Sequence, residues 1–164
     1  MASILLTAFL SLSAAALVKG ADQITWGAVV FTYHGEKIPV LHEGPYNLTP
    51  LGANQLLSTG QSIRNRYVAA ASNSSQITVS LPINGLNSSV LINSQMEVMT
   101  MTDEYVTGSA LAFMQGLYPP RALVAPVINS QTKLSNGTWE QAPLNGYQYP
   151  NVESMSSLDF NYIW

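Results

Sequence analysis

Between Ile24 and Thr32 the chain reads Ile-Thr-Trp-Gly-Ala-Val-Val-Phe-Thr, without a single charged residue. A nearly continuous run of β-branched and aromatic side chains is the pattern of a strand buried on both faces. It constrains the rest of the chain, because the segments that follow have to cover it. A loop with Gly35, Pro39, Gly44 and Pro45 comes next, then a helix start with Thr49 as N-cap and Pro50 at the first helical position. Leu56, Gly60, Ile63 and Tyr67 recur at helical spacing, which predicts one face packed on a sheet. Arg64 and Arg66 fall near the helix C-terminus, where cations suit the dipole.

Ala69 to Gly85 is rich in Ser and Asn and reads as an exposed connection, and Val90-Leu91-Ile92 as a short second strand. Thr102-Asp103-Glu104 opens a second helix with a capping side chain and two acids in its first turn. Val106, Ala110, Phe113 and Leu117 form its expected buried face, and Gly116 with Pro119-Pro120 its end. Met96, Met99 and Met101 read as core filler. A strand–helix–strand–helix order implies an α/β fold with parallel pairing. Beyond Arg121 the chain carries Pro126, Pro143, Gly146 and Pro150 and reads as an irregular excursion, with Trp139, Tyr147 and Tyr149 expected as its buried anchors and a binding surface as the alternative. The apolar end at Asp159–Trp164 and the thin sheet predict an α/β domain truncated after its N-terminal part.

Charged residues are only 9 % of the 164, against roughly 25 % in ordinary soluble domains. The net charge of −3 argues against a nucleic-acid partner, which requires a basic stripe. No cysteine is present, which removes disulfides and thiolate metal sites. With His34 and His42 as the only imidazoles, a structural zinc site is not expected. Ile4 to Val18 is an apolar run too short for a stable membrane span, and Val18 and Gly20 suit a cleavage site before Ala21. Residues 1–20 are therefore expected to be a signal peptide and 21–164 a partial domain. Four sequons, at Asn47, Asn73, Asn87 and Asn136, fit a glycoprotein of the secretory pathway or cell surface.

His34 follows the first strand immediately, where ligands bind in open α/β sheets. Gly35 lets the backbone turn close to a ligand, and Lys37 can place a cation beside the same anion. A nucleophilic histidine beside a cation and below a helix N-terminus makes a phosphate site. Plainer readings stand beside this one. His34 can be a structural histidine at a strand end, His42 reads as an exposed loop histidine, and Lys37 is equally a solvated loop lysine. Asp103 and Glu104 read as helix first-turn acids rather than a catalytic pair.

Tyr33-His34-Gly35-Glu36-Lys37-Ile38-Pro39 resembles the Arg-His-Gly-x-Arg-x-Pro signature of the histidine phosphatase superfamily, in its acid phosphatase and phytase branch. Leu48-Thr49-Pro50-Leu51-Gly52, Gln55, Gly60 and Arg64-Asn65-Arg66-Tyr67 resemble the helix after that signature. Ser109 to Pro120 resembles the Ser-Ala-x-Ala-Phe-x-x-Gly-Leu-Tyr-Pro-Pro block. The resemblance implies a three-layer sandwich with a mostly parallel central sheet flanked by helices. It also implies hydrolysis of phosphomonoesters through a phosphohistidine at His34, with no metal or organic cofactor. Its phosphate clamp would be two signature arginines, a third arginine after the second strand and a second histidine. A late His-Asp motif would protonate the leaving group.

This chain departs from that set. Tyr33 and Lys37 stand at the two signature arginines, no arginine lies between Arg66 and Arg121, and no histidine follows His42. Arginine offers phosphate a planar fork, lysine a point charge and tyrosine only a hydroxyl. The expectation is a secreted acid-phosphatase-like protein with impaired catalysis, using His34 as nucleophile and Lys37 and Tyr33 as substrate contacts. The alternatives are a non-catalytic binder of a phosphomonoester or other small anion, and a truncated product with no function of its own.

Overall fold

A computed structural model describes residues 24–39, 46–69, 80–121, 131–156 and 158. The expected signal peptide, His42, Asn73 and the apolar end at 159–164 lie outside the described residues.

Helix α1 spans Pro50–Ile63. It starts as expected: Thr49 is extended, its hydroxyl accepts the Gly52 N–H, and Pro50 stands where no intrahelical donor is needed. After Ile63 the helix widens into a π-helical turn over Arg64–Val68. Helix α2 spans Glu104–Leu117. Asp103 stands at the N-cap but makes no side-chain cap bond, which corrects the expected capping side chain, and Glu104 is the acid of the first turn.

The two helices pack on each other, which corrects the expectation that α1 lies on a sheet. The contact is made by small residues. A methyl group on Gly60 would run into the carbonyl oxygen of Phe113, and one on Gly116 into that of Leu57. The buried line of α2 is accordingly Ser109, Ala112, Phe113, Met114 and Gly116, while Val106, Ala110 and Leu117 are only half-buried. Gly116 thus serves close approach and does not end the helix, which stops at Leu117 before Pro119-Pro120. Around this crossing the core gathers Leu56, Val68, Leu91, Phe113, Met114 and Tyr118.

The predicted strands differ most from what is observed. Within Ile24–Thr32 only Thr25 is bridged, in parallel to Ile83, and Trp26 (76 %) and Phe31 (95 %) are exposed. Strand-forming side chains favour an extended chain, but a ladder needs neighbours, and the described residues supply this segment with one bridge. Val90-Leu91-Ile92 is not a strand either. Its donors are taken by side chains: Asn87 Oδ1 accepts from Ser89 and Val90, and Gln148 Oε1 from Leu91 at 2.7 Å. Such local bonds replace a ladder.

The parallel pair lies elsewhere: β1, Met99–Met101, against β4, Glu153–Met155, with Thr100 opposite Ser154. Thr100 is the buried residue of β1, and Met99 and Met101 are exposed, which corrects their reading as core; Met96 does pack against the core. The pair is tied to α2 through the Thr107 hydroxyl, which donates to the Met101 carbonyl at 2.9 Å. Strands β2, Gln131–Lys133, and β3, Trp139–Gln141, form an antiparallel hairpin. Trp139 and Tyr149 are exposed, so the anchor of this region is their neighbour Gln148, which is buried. Besides Leu91 it holds the Pro119 carbonyl, through Nε2 at 3.0 Å. The architecture is α/β, a small parallel pair flanked by helices.

Arg64 closes the far end of α2. Its guanidinium donates to the carbonyls of Leu117 at 2.8 Å and Ser88 at 2.7 Å, and lies over the Tyr118 ring. A cation there satisfies carbonyls that the helix leaves unpaired. Tyr118, 1 % exposed, donates its hydroxyl to the Asn87 carbonyl at 2.7 Å.

Two outcomes follow. Gly116→Ala gains about 1 kcal/mol of helix propensity but forces the crossing apart. It is expected to destabilise the chain by about 1–3 kcal/mol in urea unfolding, and a variant as stable as the parent would refute the close approach. The second concerns alkaline pH. Burial pushes the Tyr118 phenol above its ordinary value, with Arg64 partly opposing, and burial also raises Tyr147. A raised folded value means a contribution complete below the unfolded value of about 10 and lost as pH climbs through the folded one. Stability should therefore fall above about pH 10, and Tyr118→Phe should flatten that fall while costing about 1–2 kcal/mol at neutral pH. An unchanged alkaline slope in Tyr118→Phe would show that this phenol is not its source.

Candidate functional site

The segment from His34 to Ile38 is built between the N-terminal ends of both helices. Lys37 forms an antiparallel bridge with Leu48, the Ile38 N–H donates to the Asn47 carbonyl, and the Thr49 N–H to the Glu36 carbonyl, both at 3.0 Å. The Glu36 N–H donates to Gln55 Oε1 at 3.0 Å, and the Thr49 hydroxyl reaches the Glu36 carboxylate at 2.7 Å. That places the carboxylate at the N-terminus of α1, where the dipole favours it. A methyl group on Gly35 would strike the Gly52 backbone, and one on Gly52 the Glu36 backbone, so loop and helix touch main chain to main chain. The tie to α2 is Ser109. Its buried hydroxyl accepts the Gly35 N–H at 3.1 Å and donates to the Tyr105 carbonyl at 2.7 Å.

His34 is half-buried, and its Nδ1 lies 2.7 Å from the Gly35 carbonyl oxygen. A carbonyl only accepts, so this bond puts the proton of the neutral ring on Nδ1 and leaves the Nε2 lone pair uncommitted. An imidazole held in one tautomer with Nε2 available is what nucleophilic attack on phosphorus requires. Two rings flank it: Tyr33 tilted over it with centroids 4.2 Å apart, and Tyr105 edge-on at 4.8 Å. The Tyr33 side chain is largely exposed. Lys37 Nζ sits 3.8 Å from the centroid of Tyr105 and 5.8 Å from that of Tyr46.

The structure therefore stacks Tyr33 on His34 and places His34 and Lys37 on one common ring, Tyr105. It keeps Arg64 away, since Arg64 is bound to Leu117 at the other end of α2, roughly 18 Å along a helix of this length. Arg66 lies over Tyr67. Asp103 and Glu104 are exposed at the start of α2, as first-turn acids are. Tyr105, Ser109, Gln55 and Glu36 were not assigned a role from the sequence. The available signal is that Tyr105 stands one helical turn before Ser109, the first residue of a block that resembles a family, but nothing in the spacing says which face meets the histidine.

A family model for the histidine phosphatase superfamily, branch 2, matches residues 33–155. No curated protein and no solved structure gave a match. The matched span starts at Tyr33, contains the tautomer-fixed His34, both helices and the parallel pair, and covers three quarters of the sequence. On that span, the chain belongs to branch 2 of the histidine phosphatase superfamily.

Proposed function

We propose that this chain is a secreted glycoprotein of acid-phosphatase type that takes phosphomonoesters or a related small anion at His34, with hydrolysis impaired. The observation that carries the binding reading is the Nδ1 contact to the Gly35 carbonyl, which leaves the Nε2 lone pair for a ligand as acceptor or nucleophile. Attack by Nε2 would form an N–P bond as the ester P–O bond breaks. The leaving alkoxide would take up a proton, and water would then cleave the phosphohistidine and release phosphate.

The impairment is a matter of charge. Phosphoryl transfer depends on stabilising charge on the equatorial oxygens, and one lost donor costs about 3–4 kcal/mol in a measured case of oxyanion stabilisation. Tyr33 offers no cation, Lys37 offers one, and among the described residues neither Arg64 nor Arg66 is placed beside His34. The same observation favours the second reading, a non-catalytic binder, since one ammonium and a polar imidazole can hold an anion without turning it over.

Export rests on the leader over 1–20 and on the sequons. Asn136 is exposed on the β2–β3 turn, its Oδ1 accepting from the Thr138 N–H, whereas Asn47 and Asn87 are half-buried. Asn136 is the sequon best placed to carry a glycan among those described.

Expression in a eukaryotic secretory host should release a product that begins near Ala21 and loses mass on glycosidase treatment, with Asn136→Gln removing part of that loss. An intracellular product that retains Met1 and carries no glycan would overturn the export reading. Hydrolysis of an aryl phosphate at acid pH should be weak, and Tyr33→Arg with Lys37→Arg should raise it by less than about tenfold. Inorganic phosphate should still perturb the His34 ring resonances. Robust turnover by the unmodified chain that disappears in His34→Ala would refute impairment, and a His34 ring blind to millimolar phosphate would refute binding.

A further inference from the structure

Three features outside the assigned roles stand out: the exposed run Ile24–Tyr33, the Arg64 cap on α2, and Tyr105. The first has nothing beside it that shows what covers it, and the second is accounted for by the carbonyls it binds. Tyr105 has no assigned role, yet it touches both chemical groups of the site.

We propose that Tyr105 is a positioning residue that holds the Lys37 ammonium beside the His34 ring, an inference that rests on the anion-binding reading of that site. Lys37 Nζ lies 3.8 Å from the Tyr105 centroid, well inside the range of a cation–π contact, and the same ring meets the His34 imidazole at 4.8 Å with planes at 82°. One aromatic ring is thus common to nucleophile and cation. The backbone of Tyr105 is tied to the same loop, because its carbonyl accepts the Ser109 hydroxyl and that hydroxyl accepts the Gly35 N–H beside His34. Tyr46 lies on the same ammonium at a longer 5.8 Å.

The physical consequence concerns charge as well as place. A lysine side chain has four rotatable carbons and loses much freedom when fixed. An ion pair would fix it but neutralise it. An aromatic face fixes it while leaving its full positive charge for an incoming anion. The Glu36 carboxylate, the nearest acid in sequence, is bound to the Thr49 hydroxyl. The face of the ring does this work, so phenylalanine should replace tyrosine and an aliphatic residue should not.

The test uses the full chain with 13Cε-labelled lysine. Its three lysines are Lys19, Lys37 and Lys133, and Lys37→Arg assigns the relevant signal. The Lys37 ε-protons should be shifted upfield by ring current in the parent and in Tyr105→Phe, and should return to the position of a solvated lysine in Tyr105→Leu. Inorganic phosphate, titrated against the His34 ring resonances, should bind Tyr105→Phe within about twofold of the parent and Tyr105→Leu about three- to tenfold more weakly. In a Lys37→Met background the same Tyr105→Leu change should have no further effect, since the two side chains act as one unit. Unshifted Lys37 ε-protons in the parent, or an equal loss from Tyr105→Leu with and without Lys37, would overturn the proposal. Phosphate that fails to bind the parent would refute the anion-binding reading instead, and the lysine spectrum would still decide whether Tyr105 holds Lys37. Should Tyr105→Leu fail to fold, the parent and Tyr105→Phe spectra decide the point.

Discussion

Two helices of this protein approach until backbone meets backbone, at Gly60 on the Phe113 carbonyl and Gly116 on the Leu57 carbonyl. The rest of the described structure depends on that distance. Interaxial separation follows the side chains at the contact, and glycine permits the smallest. With α1 and α2 so close, their N-terminal ends can both reach a single short loop. Thr49, Gly52 and Gln55 hold it from α1, and Ser109 from α2. At the opposite end the same closeness lets Arg64 leave α1 and bind the last carbonyl of α2. A bulkier crossing would separate the two sides of the site before it changed any residue in it.

Among the described residues, the site assembled in this way is well ordered in geometry. His34 has its tautomer set by a neighbouring carbonyl and its ring bounded by Tyr33 and Tyr105. An imidazole is thus oriented. Among the described residues, the cation that shares a ring with it is the Lys37 ammonium, held on an aromatic face rather than in a fork of guanidinium donors. Orientation and electrostatic stabilisation are separable contributions to catalysis, and the proposed reading is that this chain would keep the first while reducing the second.

Much of this was legible in the sequence where local chemistry decides. Thr49-Pro50 gave the start of α1, because capping is settled within four residues. The His34–Pro39 segment and the Ser109–Pro120 block pointed to the family before any geometry was known. Reading failed where the answer depended on distant partners. The Val90–Ile92 run looked like a strand, but Asn87 and Gln148, the latter 57 residues away from Leu91, take its donors. Of the expected buried face of α2 only Phe113 is fully buried, because the crossing turns Ser109, Ala112, Met114 and Gly116 inward in place of Val106, Ala110 and Leu117. Tyr105, just after two acids, gives no local signal, because its meaning lies in two groups more than 60 residues earlier.

The contrast on either side of His34 shows where its position comes from. Before it, the described residues from Ile24 to Tyr33 are exposed except for the half-buried Thr25, which makes the one bridge. After it, every residue from Gly35 to Ile38 is tied to residues 47–55 or to Ser109. An α/β site at a strand end is ordinarily positioned from behind, by the ladder that holds the strand. Here the described contacts position it from in front, through the helix pair. Changes in the preceding strand segment should therefore reach His34 weakly, whereas a change at Ser109 or at the glycine contacts acts on it directly. On the proposed reading, this chain would differ from an arginine-clamped site in the side chains around the imidazole more than in how that imidazole is held.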